Sequence, residues 1–371
     1  MAQVTIHVPP RPYQARIENG LLPRAGALLA ELLPQASKLF VVTVPPVRRR
    51  FGKKLLSSLA SAGFKAQILQ IPDGEPAKKL ATIETMAERL VRLGADRKAV
   101  LVALGGGVVG DVTGLLASLY MRGIDLVQIP TTVLAQVDAS VGGKTGVNLG
   151  AGKNLLGTYH HPRVVLIDPE VLHSLSDRVY RAGLYEALKC GIIGDLDLFL
   201  RFEQKRSQIL KRDPVELEGL IASSVKLKAE IVSADEQEGG LRRVLNLGHT
   251  IGHALEAETG YKILLHGEAV AWGIIAATNI GLTVGRTDSV TAGRIADAVL
   301  SLGPLPELKV SARKILARLQ ADKKTQNGAV HFVLPREIGK VEVASDVPDK
   351  VILNAVEELR RLSQGGWVWK K

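Results

Sequence analysis

Between Ala99 and Met121 the chain reads AVLVALGGGVVGDVTGLLASLYM, and this stretch limits the fold more than any other. A run this long and apolar could span a bilayer as one helix. Three consecutive glycines at Gly105, Gly106 and Gly107, followed by Gly110, Asp111 and Gly114, argue against that. The run instead divides into a buried strand, a glycine turn and a helix. A wholly apolar strand feeding a helix belongs to a parallel sheet covered on both faces.

The flanking sequence repeats the pattern. Strands are expected at 38–43, 66–71, 99–104, 125–129 and 164–167, with helices over 53–62 and 80–93. Strands alternating with helices build βαβ units and a mostly parallel sheet. From Arg178 onward the sequence reads as successive helices, with no clear strand before 330–334. The expected architecture is therefore an α/β Rossmann-like nucleotide-binding domain over 1–173 and a mainly helical metal- and substrate-binding domain over 174–371. Ligand is expected between them, at the carboxyl ends of the strands.

Composition narrows the functional classes. One cysteine, Cys190, excludes an intrachain disulfide and a multi-cysteine metal site, as suits a reducing compartment. MAQVTIHVPP has no signal-peptide pattern, so a cytoplasmic location is expected. The net charge of +11 raises the question of nucleic acid, yet Arg48–Arg50 is the only run of three basic residues and no aromatic residues are interleaved with basic ones. The expectation is a solvated basic surface that steers an anionic substrate, with neither nucleic acid nor membrane as partner.

Four segments carry chemistry. Gly105, Gly107 and Gly110 satisfy G-x-G-x-x-G between a strand and a helix, which suits a dinucleotide pyrophosphate. The glycine-rich stretch from Val141 to Asn154, with Lys144, Lys153 and Asn154, reads as a flexible loop for phosphate or carboxylate capture. Glu186 and Lys189 are three apart on one helical face; an ordinary surface ion pair explains that spacing, although the apolar surroundings argue against a fully exposed one. His249 and His253, at i and i+4, can hold a metal between two imidazoles, and His266 places three of the eight histidines within eighteen residues. Spacing alone nominates His249 and His253 as the ligands.

The segments GGGVVGD, YMRG, IPTTVLAQVDASVGGKTGVN, GKNLLG, EALKCGII, LNLGHTIGHALE and LHGEAVAWG, in that order, resemble the 3-dehydroquinate synthase family from about Gly74 to Gly339. The resemblance implies a phosphate lyase that converts 3-deoxy-D-arabino-heptulosonate 7-phosphate into 3-dehydroquinate, with NAD reduced and reoxidised in each cycle. It implies zinc or cobalt held by Glu186, His249 and His266, and moves His253 from ligand to proton acceptor, with Glu238 as a second acceptor. It implies substrate contacts from Arg122, Asp138, Lys144, Asn154, Lys189, Lys228, Arg242, Asn246 and one of Lys323 and Lys324, the latter preferred. It implies NAD contacts from Glu75, Lys78, Gly106, Gly107, Val108, Asp111, Thr131, Thr132 and Lys153, and a homodimer. Where the family commonly has a polar D-x-N type sequence after the first strand of this set, the chain has Val44, Pro45 and Pro46, which leaves no carboxylate there for the adenosine ribose. Another sugar-phosphate cyclase, or an NAD- and metal-dependent polyol dehydrogenase, is the alternative reading.

Overall fold

Strands β1 (Ala2–Ile6), β2 (Tyr13–Ile17), β3 (Leu39–Thr43), β4 (Ala66–Gln70), β5 (Val100–Gly105), β6 (Asp125–Pro130) and β9 (Val164–Ile167) form one sheet in the order β1-β2-β9-β6-β5-β3-β4. All its pairings are parallel except β1 with β2. The computed structural model describes residues 1–150, 152–325 and 330–365, with backbone alone over 322–325. The chain divides into two compact units, residues 1–175 with 217–233 and residues 176–216 with 234–371.

In the first unit, β3, β5 and β9 are buried along their whole length, as expected of a sheet covered on both faces. Phe40, Val42, Leu101 and Ala103 share a core with Ile83 and Met86 of the helix Leu80–Arg92 and Val109, Val112 and Leu116 of the helix Gly107–Leu119. The apolar run at 99–121 is thus one strand and one helix, and among the described residues no helix is long and apolar enough to cross a membrane. The chain leaves β3 for β4 on one side and β5 for β6 on the other. The carboxyl ends of β3 and β5 therefore flank a topological switch point, where open α/β sheets bind ligands.

Two features depart from the sequence reading. The stretch expected as a flexible loop is a hairpin of β7 (Lys144–Leu149) and β8 (Gly152–Tyr159). Two glycines face each other across it in close packing: a Cβ on Gly157 would lie 1.9 Å from the Thr145 carbonyl oxygen, and one on Gly146 3.2 Å from that of Leu156. The second departure is the long helix Pro214–Ala234, whose residues 217–233 group with the first unit.

Among its described residues the second unit has no strands besides the small pair β10 (Phe332–Glu337) and β11 (Lys340–Ala344), and is otherwise built of helices and their connections. Helices Asp177–Gly194 and His266–Thr283 are buried on nearly every side, so both are central. Glycines set their close approaches. A Cβ on Gly267 would sit 1.7 Å from the Ala182 carbonyl oxygen, and one on Gly273 would sit 1.8 Å from that of Gly248.

Candidate metal centre and cofactor loops

The helix Asp177–Gly194 carries Glu186 and Lys189 on one face, and the structure buries both. Their contact is 2.5 Å from Lys189 Nζ to Glu186 Oε2, so this is a buried ion pair and not a surface one. Glu186 Oε1 lies 3.8 Å from His249 Nε2 and 3.5 Å from His266 Nε2. His249 opens the helix His249–Glu258 and His266 opens His266–Thr283, so both ligand candidates stand at helix starts. The second of these starts is anchored twice. Leu265 N–H donates to Glu268 Oε2 at 2.8 Å, and Arg178 donates to both Glu268 oxygens at 2.6 and 2.8 Å.

His253, one turn beyond His249, also belongs to the cluster. One ligand nitrogen from each of His249, His253 and His266 lies within 4.8 Å of the other two. His253 is the exposed member, with its ring 5.2 Å from that of His249. The histidines alone therefore do not choose between the i, i+4 pair and the set containing Glu186. The carboxylate does: Glu186 Oε2 is met by the Lys189 ammonium, while the buried Oε1 faces the His249 and His266 imidazoles at 3.8 and 3.5 Å with no hydrogen bond of proper geometry among the described residues. A buried carboxylate oxygen turned toward two imidazoles is a third donor that the i, i+4 pair alone does not supply.

The electrostatics fit a cation. Burial disfavours charge on His249, Lys189 repels it further, and the two outweigh Glu186, leaving the imidazole neutral with a lone pair to give. Burial also opposes charge on His266, yet the Glu186 and Glu256 carboxylates outweigh it and push that imidazole up to about 10. Burial would raise Glu186, but Lys189, His249 and His266 together hold it well below the usual carboxylate range. An anionic carboxylate facing imidazole nitrogens is a donor set suited to zinc or cobalt.

Glu256 was missed by the sequence reading. It is buried and accepts from His266 Nδ1 at 3.1 Å, fixing the tautomer that leaves Nε2 for a metal. His249 Nδ1 lies 3.2 Å from the Leu247 carbonyl oxygen, an equivalent restraint. The available signal was position: Glu256 follows His253 by three residues on the same helix.

The turn before these histidines positions three more candidates. Asp235 accepts backbone N–H groups of Gly239, Gly240 and Arg242 at 2.7, 2.8 and 2.9 Å, which closes the loop and lowers the Asp235 carboxyl below its ordinary value. The Arg242 side chain is buried and donates to the Glu236 carbonyl. Asn246 Nδ2 donates to Glu238 Oε1 at 3.3 Å, and Glu238 has a positive φ of 64°. The side chains of Lys323 and Lys324 lie outside the described residues.

In the first unit the glycine turn meets the dinucleotide requirement. Gly106 caps the helix Gly107–Leu119, with Val108 and Asp111 in its opening turns. Substitution there is crowded: a Cβ on Gly105 would lie 2.5 Å from Val109 and one on Gly106 3.2 Å from Thr132. Thr131 N–H donates to the Gly105 carbonyl at 2.9 Å, bringing the end of β6 to the glycine turn. Lys78, buried, pairs with Asp111 Oδ2 at 2.6 Å and donates to Asn154 Oδ1. Burial raises the Asp111 carboxyl, and Lys78 partly offsets this. Glu75 accepts from Asn148 Nδ2 at 2.8 Å. Glu75, Lys78, Asp111 and Asn154 are thus gathered about the hairpin, which also carries Lys144 and Lys153.

The returning helix segment supplies the other cluster. Lys228 Nζ lies 2.6 Å from Asp138 Oδ1 and donates to the Asp138 carbonyl at 2.6 Å. Arg122 stands exposed in the turn after the glycine-loop helix, with φ 68°. No contact in the described structure joins it to these residues.

Known proteins share this pattern. The family model for the 3-dehydroquinate synthase N-terminal domain matches residues 68–182, and that for its C-terminal domain matches 183–325. The chain is 52% identical over 363 residues to a 3-dehydroquinate synthase of Koribacter versatilis (strain Ellin345), covering 98% of this chain and 99% of the relative. It is 48% identical to that of Solibacter usitatus (strain Ellin6076), covering 96% and 99%. Among solved structures it resembles a 2-epi-5-epi-valiolone synthase from Streptomyces hygroscopicus subsp. jinggangensis 5008 with NAD+ and Zn2+ bound, at TM-score 0.86, 32% identity and coverage of 94% and 97%. It also resembles a 2-deoxy-scyllo-inosose synthase complexed with carbaglucose-6-phosphate, NAD+ and Co2+, at TM-score 0.85, 26% identity and coverage of 96% and 99%.

Proposed function

The chain belongs to the 3-dehydroquinate synthase family, and from that premise we propose how its own residues divide the work. The enzyme converts 3-deoxy-D-arabino-heptulosonate 7-phosphate into 3-dehydroquinate and phosphate, using NAD and a divalent metal, zinc or cobalt. The observation that carries this is 52% identity to a 3-dehydroquinate synthase over 98% of the chain.

Bound NAD supplies a hydride acceptor that is restored within the cycle, and a bound divalent cation supplies Lewis-acid polarisation of substrate oxygens. Glu186, His249 and His266 hold the metal. Glu186 Oε1, turned toward both imidazoles, and the Glu256–His266 bond support this set over the His249–His253 pair. Gly106, Gly107 and Val108 present backbone to the NAD pyrophosphate, and Glu75, Lys78, Asp111, Thr131, Thr132 and Lys153 complete the cofactor contacts. Residues 1–173, which 217–233 rejoin, are thus the NAD-binding half, and the rest of 174–371 is the metal-binding half.

The substrate carries a phosphate and a carboxylate. Arg122, Lys144, Lys189, Lys228 and Arg242 neutralise them, arginine being suited to two-pronged contacts. Asp138, Asn154, Asn246 and Lys324 fix the hydroxyls and the phosphate. Holding both ends keeps the ring-opened species oriented for its own aldol closure. His253, exposed beside the half-buried His249 and His266, takes protons at an imidazole nitrogen, and Glu238, held by Asn246, is the second acceptor. The protein is placed in the cytoplasm as a homodimer.

The test is phosphate release from the heptulosonate phosphate with NADH absorbance followed in parallel. Phosphate without net NADH is expected, lost on chelation and restored by zinc or cobalt. NADH in proportion to substrate would assign a polyol dehydrogenase instead. Turnover of sedoheptulose 7-phosphate in its place would assign another cyclase.

A further inference from the structure

In a dinucleotide fold, the strand beside the glycine-loop strand ends at the adenosine ribose. A carboxylate there binds the ribose 2′-hydroxyl and selects NAD, whereas a nearby arginine accommodates the 2′-phosphate of NADP. In this chain the glycine turn follows β5, and β3 is its parallel neighbour on the switch-point side. Thr43 Oγ1 donates to the Leu104 carbonyl at 2.7 Å, so β3 ends level with the glycine turn.

The residues that follow β3 are Val44, Pro45 and Pro46. Val44 is extended and buried in the unit's apolar core, so its position offers no hydrogen-bonding group to a ribose. Pro45–Val47 forms one helical turn, and Arg48, Arg49 and Arg50 come next, all exposed. Among the described residues none of these three arginines has an acidic partner. A cavity of about 780 Å³ starts at Pro45 and is lined by Arg48, Arg49, Lys53, Ser57 and Gln70, with no carboxylate in its wall. Gln70 ends β4, which is parallel to β3, so this cavity opens at the carboxyl end of the sheet. Arg48, Arg49 and Lys53, exposed beside a hydroxyl and an amide, are free to converge on a dianionic phosphate.

We propose that this chain binds NADP as well as NAD, with the 2′-phosphate held by Arg48 and Arg49 at the mouth of that cavity. The inference rests on the cofactor assignment above and concerns only which dinucleotide the site accepts. By the switch-point rule the ribose would lie beside Pro45, where the chain has no carboxylate and three arginines follow. The 2′-phosphate carries close to two negative charges at neutral pH, so a carboxylate at Val44 would repel it and the arginines attract it.

The test is calorimetric titration of the full-length protein with NAD and with NADP, at two salt concentrations. NADP is expected to bind within about threefold of NAD or more tightly, with the steeper loss on adding salt. In Arg48→Ala/Arg49→Ala, both positions being exposed, NADP is expected to weaken about tenfold to a hundredfold, the worth of a hydrogen bond between charged groups. NAD is expected to change less than about threefold. The fragment 2′-AMP should follow NADP, and 5′-AMP should follow NAD. NAD binding with NADP more than about tenfold weaker would overturn the proposal while leaving the cofactor assignment intact. So would equal losses of both dinucleotides in the double variant. Binding of neither dinucleotide would overturn the cofactor assignment itself.

Discussion

Replacing Gly267 by alanine should damage the metal centre more than the fold. Gly267 follows His266, and Ala182 stands one helical turn before Glu186. An added Cβ would lie 1.7 Å from the Ala182 carbonyl oxygen, whereas carbon and a carbonyl oxygen normally approach no closer than about 3.3 Å. The two helices must therefore part by about 1.5 Å. Overpacking costs about 1–3 kcal/mol, and the better helix propensity of alanine offsets about 1 kcal/mol of that. The net loss of stability is then at most about 2 kcal/mol. Metal–ligand distances tolerate only about 0.2 Å, so the same movement separates Glu186 from His266 far beyond a working coordination sphere. We expect the cobalt dissociation constant, read from the cobalt absorption band against a competing chelator, to rise at least about a hundredfold. Urea unfolding with chelator present should show the small stability loss. Gly191→Ala is the control, since its Cβ would meet Phe199 backbone at 2.9 Å, away from the ligands. It should lose stability and keep cobalt. Wild-type cobalt affinity in Gly267→Ala would refute the argument that this helix contact sets the ligand spacing.

Three further outcomes are expected. Glu256→Gln removes the carboxylate that orients His266, so zinc affinity by chelator competition should fall about tenfold to a hundredfold while urea unfolding of the apoprotein changes little; unchanged affinity would remove Glu256 from the site. Lys228→Ala strands Asp138 and removes a substrate cation, so kcat/KM should fall by about a hundredfold or more with NAD affinity within about twofold; a parallel fall in NAD affinity would mean that the Lys228–Asp138 pair is structural. Burial lowers the pKa of His160, with only partial compensation from its bond to the Ile124 carbonyl, so the fold binds fewer protons there than the unfolded chain does. That contribution is complete above the ordinary histidine value near 6.5 and is lost as pH falls below it. His160→Gln should accordingly lose less stability than wild type between pH 7.5 and 5.5 by urea midpoint, and equal losses would sink the assignment.

The sequence by itself determined what local pattern and chain order control. The wholly apolar strands at 100–105 and 164–167, the glycine turn between β5 and its helix, and the helical run from Asp177 onward were all legible, because hydrophobic period and glycine placement act over a few residues. Motif order was legible too, and carried the family. Tertiary structure decided the rest. Glycine density at 141–154 signalled a flexible loop, but the segment pairs as a hairpin, in which Gly146 lies against the Leu156 carbonyl of the facing strand. Helical spacing could say that Glu186 and Lys189 share a face, and the apolar surroundings that it is not fully exposed, but not that Glu186 Oε2 meets Lys189 while Oε1 faces His249 and His266. It could pair His249 with His253, but the packing of three helices at Gly248, Gly267 and Gly273 brings His266 and Glu256 into the same cluster. Nor could it show that residues 217–233 return to the first unit and bring Lys228 to Asp138. Periodicity reports which face of an element is apolar, whereas the partner of that face is chosen by contacts distant in sequence.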